Sequence, residues 1–284
     1  MNTLSDKLAA FRKTFPRKRI GQGGETWEYF AGGQGECIIF LHGGMATGEM
    51  YFEYLADLQD SYFVIAPCLP AGVHTVSGAV SGITAILEAE QQSTSHLLGH
   101  SQGGGWAITF ADRLPQRVSK LMISSALLPS PAHADKVRKQ MRVASPVPNF
   151  LLLPAFRIAL RRAFQKSGTV LTPEQQSFLL NELTPLPKSA ALRRYAGSQA
   201  RLQLDYHLQT LTGNPPSYPT LLFETGRDGF VSQAEAAALR AHYPKARVCR
   251  FENAGHLDVI IRADQFISVI RSFLANDPAP AQRQ

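Results

Sequence analysis

The stretch Leu97-Leu98-Gly99-His100-Ser101-Gln102-Gly103-Gly104-Gly105 constrains the fold more than any other part of this chain. The run His96-Leu97-Leu98 can end a buried strand, and Trp106-Ala107-Ile108-Thr109-Phe110-Ala111 reads as helix, so the residues between must turn the chain sharply from one to the other. Gly99-His100-Ser101-Gln102-Gly103 fits G-x-S-x-G, a pattern that holds a serine in a strained conformation at the tip of a strand. The flanking glycines leave room because no side chain crowds the bend. A hydroxyl presented this way is open to activation by a base. The pattern also occurs by chance as a plain glycine-rich turn, so its weight rests on the partners found upstream and downstream.

Those partners sit in a repeating order of strand and helix. Thr26-Trp27-Glu28-Tyr29-Phe30 alternates as an early strand does, and Glu36 to Leu41 is a nearly continuous apolar run, the pattern of a strand covered on both faces, ending at His42-Gly43-Gly44-Met45. Met50, Tyr51, Tyr54, Leu55 and Leu58 are spaced for a helix; Tyr62 to Ala66 is strand up to Pro67; Val80, Ile83, Ile86 and Leu87 mark the next helix. Beyond the serine turn, Lys120 to Ser125, Pro219 to Glu224 and Ala246 to Phe251 read as strands. Ser232-Gln233-Ala234-Glu235 is a capping box opening a helix that ends before Pro244, and a last helix spans about Asp264 to Leu274. Such alternation predicts an α/β fold, a mainly parallel sheet with helices on both faces.

The alternation stops between Leu128 and Thr212. Pro129, Pro131, Pro146, Pro148, Pro154, Pro173, Pro185 and Pro187 divide this segment, which shows no convincing strand and predicts an all-helical insertion, 128–212, in a core made of 1–127 and 213–284. Thr172-Pro173-Glu174-Gln175 carries the capping residue, early proline and reaching glutamine of a helix start. In Asn149 to Phe164 an apolar stripe is interleaved with Arg157, Arg161 and Arg162; it packs over a core or roofs a substrate pocket. The tail from Pro278 to Gln284 has the composition of a frayed end.

Charge is concentrated in the same insertion. It holds 12 Lys/Arg against four acids, net +8, whereas the whole chain is +7, so the remainder is −1. A solvated helical face accounts for this; so does a surface attracting an acidic partner or anionic lipid. The basic residues are interleaved with leucine and phenylalanine and form no nucleic-acid motif, so no nucleic-acid partner is expected, and membrane contact through this segment is not expected either. Cys37, Cys68 and Cys249 are too few and too scattered for a disulfide framework or a metal site. The first twenty residues are basic without an apolar core, and no run of 18 apolar residues occurs, so a soluble cytoplasmic protein is expected.

A serine hydroxyl is a weak nucleophile at neutral pH; it needs a base within hydrogen-bond reach and a third group to hold that base. Of eight histidines, His256 is the one that follows the last strand after a small-residue turn, Asn253-Ala254-Gly255. Asp228 follows the strand before it. Its rival Glu224 lies within that strand, where its side chain is less free to reach a neighbouring loop, so Asp228 is preferred as the acid. Ser101, Asp228 and His256 then all stand at carboxyl ends of parallel strands, where such sheets place their sites. An oxyanion formed on attack needs backbone N–H donors: Gln102, next to the serine, is one, and Gly44, with Met45 as neighbour, is the other. His42 is expected to brace that loop.

With these residues in place, the sequence resembles the α/β-hydrolase superfamily from about Trp27 to Leu274, with the insertion where that family has its helical cap. The resemblance implies an eight-stranded sheet and a Ser101-Asp228-His256 triad with Gly44 and Gln102 as oxyanion donors, and it implies no cofactor and no metal. Cys68 and Ala71 stand where many members have the aspartate and first glycine of an Asp-x-Pro-Gly-x-Gly loop. Serine at 101 argues against the dehalogenase and epoxide hydrolase branches, which use aspartate there. The expected function is hydrolysis of a small acyl substrate, an ester or thioester, and the basic insertion motivates a narrower form in which the acyl group is presented on an acidic carrier. A carbon-carbon bond hydrolase, a perhydrolase or lyase, or a non-catalytic ligand receptor would use the same parts.

Overall fold

Each apolar run read as strand is one in the computed structural model, which describes residues 3–144, 148–184, 189–213 and 218–276. Pro146, Pro185, Pro187, Lys188 and the tail Pro278 to Gln284 lie outside the described residues. The strands are β1 (Lys18–Gln22), β2 (Glu25–Gly33), β3 (Cys37–Leu41), β4 (Phe63–Cys68), β5 (Ser95–His100), β6 (Val118–Ser124), β7 (Thr220–Thr225) and β8 (Arg247–Phe251). They form one eight-stranded sheet in the order β1-β2-β4-β3-β5-β6-β7-β8. From β4 to β8 all neighbours are parallel, while β1 with β2 and β2 with β4 are antiparallel. β3 and β5, buried along their whole length, are central and carry the loops at His42 and Ser101.

The helices are α1 (Leu4–Thr14), α2 (Phe52–Leu58), α3 (Val76–Ala89), α4 (Gln102–Arg113), α5 (Pro131–Ala144), α6 (Asn149–Lys166), α7 (Pro173–Phe178), α8 (Ser189–His207), α9 (Gln233–His242), α10 (Asp258–Ile261) and α11 (Ala263–Leu274). Two hydrophobic clusters cover the two faces of the sheet. One joins α1, α2 and α11 through residues such as Phe11, Tyr54 and Ile270; the other joins α3, α4 and α9 through Ile83, Phe110 and Leu239. Burial of this many large apolar side chains is the main force holding the layers together.

Among the described residues the insertion between β6 and β7 holds no strand; its elements are α5 to α8 with a π-helical turn at Leu179–Leu183. Leu160, Phe164, Phe178 and Leu183 join the first cluster, and Leu202 and Tyr206 join the second, so the segment is packed into both faces of the core. Polar anchors fix it further: Asp205 accepts the N–H of Val76 at the start of α3 at 2.7 Å, and the Tyr206 hydroxyl donates to Leu127 O at 2.6 Å.

Two elements precede those read from the sequence. α1 is opened by a Thr3–Asp6 capping box and buries Leu8 and Phe11. Its helical signal is obscured by basic residues that prove to be paired, Lys7 with Glu53 and Arg12 with Glu49. β1 is a polar edge strand in which Ile20 is the one large apolar residue, too weak a pattern to register. Inside the fold, the buried Lys120 on β6 donates to Phe273 O, Leu274 O and Asn276 Oδ1 at 2.7–3.0 Å, which satisfies the open carbonyls at the end of α11.

Candidate active site

Ser101 has φ 53° and ψ −118°, a conformation that costs a non-glycine residue free energy and is held here by its surroundings. Its N–H donates to Ser124 O on the neighbouring strand at 2.8 Å, and α4 begins at the next residue. The tightness of the turn explains the glycines: a Cβ on Gly99 would stand 2.4 Å from Gly103 O, and one on Gly103 would stand 2.1 Å from Leu41 O. The serine side chain is thereby lifted to the wall of two cavities, both of which are also lined by Gln102 and His256.

The loop after β3 lies against this turn. A Cβ on Gly43 would meet Ser101 Cβ at 3.5 Å and one on Gly44 would meet Gln102 Oε1 at 3.0 Å, so the two segments predicted to supply N–H donors are neighbours. Met45 takes a left-handed φ of 63°, which turns the chain back after Gly44. His42 braces the loop with both ring nitrogens: Nδ1 donates to Gly43 O at 2.8 Å and Nε2 accepts the N–H of Leu69 at 3.0 Å. Burial lowers its pKa to about 4, against a smaller opposing effect of the Gly43 carbonyl, so the ring is neutral at pH 7. The bond to Leu69 also positions the loop in which Cys68 and Ala71 replace the more usual residues; Cys68 Sγ itself accepts the N–H of Gly48 at 3.4 Å.

Asp228 and His256 are brought together across two loops, with Nδ1 at 2.9 Å from Oδ2 and 3.1 Å from Oδ1. The carboxylate also accepts the N–H groups of Phe230 at 2.8 Å and Val231 at 3.0 Å, and the Thr225 hydroxyl at 3.1 Å. Burial by itself would raise the Asp228 pKa, but the hydrogen bond and charge of His256 and the two amides outweigh it and hold the group at about 2. Glu224, the rival acid, faces elsewhere and pairs with Arg240 and Arg250. His100, beside the serine, is buried with its ring 4.7 Å from that of His256; burial first and repulsion from His256 second push its pKa well below the imidazole range.

Several residues that shape this arrangement carry no sequence signal of their own. Thr225 Oγ1 donates to Asp228 and accepts from Ser125 Oγ at 3.3 Å, linking the ends of β6 and β7 to the acid. Phe230 sets its ring edge-on to His256 at 4.9 Å. Most unexpected is the end of α6. Ser167 O accepts the N–H of His256 at 2.7 Å, and Thr169 Oγ1 accepts that of Leu257 at 2.9 Å. Gly168, at φ +75°, sits where a Cβ would be 1.7 Å from Arg227 O, and a Cβ on Gly229 would be 1.7 Å from Lys166 O. The inserted segment thus grips the acid and histidine loops at once.

The two cavities differ. One, of about 250 Å³, is walled by Met45, Leu160, Phe164, Leu179, Leu183 and Ile260. The other, of about 220 Å³, runs beneath α5 and α8 past Trp106, His133, Lys136 and His207. Among the described residues no group of three or more His, Cys, Asp or Glu could hold a metal ion, and no helix is long and apolar enough to cross a membrane.

Comparison with known proteins agrees with this architecture. The chain is 28% identical to the pimeloyl-[acyl-carrier protein] methyl ester esterase of Aeromonas salmonicida over 258 residues, which is 85% of this chain and 96% of the relative. A thermophilic esterase from Thermogutta terrifontis superposes with a TM-score of 0.71 at 19% identity, covering 92% of this chain and 98% of that one. An epoxide hydrolase from Bacillus megaterium does so with a TM-score of 0.67 at 18% identity, covering 91% and 100%. The sequence profile of one family matches residues 38–269, from the start of β3 into α11 and so across every loop of the site just described. The eight-stranded, mainly parallel sheet and that match lead to one conclusion: the chain belongs to the alpha/beta hydrolase family.

Proposed function

We propose that this protein is a serine hydrolase that cleaves a carboxylic ester or thioester through an acyl-enzyme, with the segment 128–212 acting as a cap over the site. The observation that carries the reading is the Asp228–His256 hydrogen bond at 2.9 Å, made by a histidine that lines the same cavities as a strained, accessible serine. With Nδ1 donating to Asp228, Nε2 keeps the lone pair a base needs. Ser101 Oγ attacks the acyl carbon as its proton passes to His256 Nε2, and the oxyanion is held by the N–H groups of Gly44 and Gln102. The imidazolium then protonates the leaving alkoxide or thiolate. Water attacks the acyl-enzyme, gives its proton to His256, and releases the acid as the proton returns to Ser101.

The names of two relatives, both esterases, support acyl chemistry. Serine at the turn favours it over epoxide opening, which in the family resemblance depends on aspartate at that position. An acyl group delivered on an acidic carrier is a narrower form of the same reading, supported by exposed Arg157, Arg161 and Arg162 beside exposed Phe150 and Ile158 on α6. Attraction between exposed charges is screened within about 8 to 10 Å at ordinary ionic strength, so turnover of a carrier-bound acyl group should fall with salt while that of a neutral ester should not.

The deciding experiment is turnover of a graded series of p-nitrophenyl acyl esters by the wild type and Ser101→Ala, with fluorophosphonate labelling of both. Labelling and turnover lost together in the variant support the reading. A wild type that does not label overturns it.

A further inference from the structure

The cavities that meet at Ser101 differ in charge. Among the described residues, none that lines the one roofed by Leu160 and Phe164 is Asp, Glu, Lys or Arg. The other is lined by Lys136 and Lys166 and, among the described residues, by no acid. Among the described residues neither lysine has an acidic partner; Lys166 Nζ lies over the Phe230 ring at 5.1 Å, beside His256. In the same wall Trp106 is 3% exposed and its indole Nε1–H, which can only donate, has no hydrogen-bond partner. The Gln102 side-chain amide, on the wall the two cavities share, is buried and unpartnered as well. A buried donor left without an acceptor costs free energy, and the exposed Lys136 and Lys166 add two cations without an acidic partner at the rim, so this cavity is complementary to an anion.

We infer that the substrate is amphiphilic about its scissile carbonyl: an apolar arm fills the cavity under α6, and a carboxylate-bearing arm enters the cavity under α5 and α8, where Lys136, Lys166 and Trp106 Nε1–H receive it. The inference rests on the reading of Ser101 as the nucleophile and adds the substrate class.

The test uses two matched pairs of esters. Mono-p-nitrophenyl adipate and its methyl ester place the charge on the acyl arm; the hexanoate esters of p-hydroxybenzoate and of its methyl ester place it on the alcohol arm. The wild type should favour the anionic member of one pair by about tenfold in kcat/KM, a preference that shrinks with added salt and that Lys136→Gln/Lys166→Gln lowers by about tenfold. No preference in either pair, or one the double substitution leaves unchanged, overturns the inference without touching the hydrolase reading. Binding of monomethyl adipate against dimethyl adipate to Ser101→Ala, followed by NMR titration, separates the two claims further. Lysine-dependent selection of the monoanion sustains the inference even if no ester is turned over, and failure to select it overturns the inference.

Discussion

Nδ1 of His256 lies 2.9 Å from one carboxylate oxygen of Asp228 and 3.1 Å from the other, so the ring is held by a forked contact. Because the same carboxylate is fixed by the amides of Phe230 and Val231, the acid has little freedom to turn away, and the imidazole inherits its orientation.

Asp228→Asn keeps the size of the side chain but loses the charge that stabilises an imidazolium, and kcat for an aryl ester should fall by about 10⁴-fold with little change in fold. Glu224→Gln is the control. It disturbs the pairing with Arg240 and Arg250 and should lower stability while leaving kcat within about threefold. The reverse ranking in steady-state kinetics would transfer the acid role to Glu224.

Ser101→Ala should lower kcat by about 10⁴-fold or more, since a nucleophile acts as a unit with its base. Relief of the φ 53° strain is small for alanine, which is no more at ease there than serine, so melting temperature should move little. Calorimetry beside the kinetics separates the two effects.

Stability should fall with acid over two pH ranges. His42 and His207 are both depressed to about 4, chiefly by burial, so between pH 6.5 and 4 the unfolded chain binds protons that the folded chain does not, and stability falls as pH drops, by up to about 3 kcal/mol for each ring. Asp228, lowered from 3.8 to about 2, contributes about 2 kcal/mol that is fully present above its unfolded value and is lost as pH falls through its folded one. Urea titrations of wild type and Asp228→Asn between pH 2 and 7 should show curves whose separation shrinks only below about pH 4.

Thr169→Val removes the acceptor for the Leu257 N–H at nearly constant volume and should cost about 1–3 kcal/mol. Because Leu257 follows His256, kcat should drop with it while KM changes less. A variant equally unstable but with wild-type kcat would show the contact to be purely architectural.

Much of this was legible in the sequence because it depends on local rules. Gly99, Gly103 and Gly104 announce a turn that no Cβ tolerates, and the apolar runs at β3, β5 and β6 announce buried parallel strands. His42 as a brace was legible too, since it stands at the end of a strand beside two glycines. What could not be read depends on distant pairing. α1 hides its apolar face among basic residues whose partners, Glu49 and Glu53, are dozens of positions away. Thr225 looks like any strand terminus until Ser125 and Asp228 are seen on either side of it. Ser167 acts through its carbonyl, which no side-chain pattern reveals.

The joint between α6 and the histidine loop bears on how such a protein can be rebuilt or diverge. Residues 166–169 are counted by position as part of the inserted segment, yet their carbonyls, a hydroxyl and an alanine-intolerant glycine hold Arg227, His256 and Leu257 in place. A chimera that exchanged the whole insertion for a relative's would therefore carry away contacts that hold the candidate site together. A recombination boundary drawn after Thr169, or one that moves Lys166 to Thr169 together with the loops they touch, is the modular cut this architecture permits.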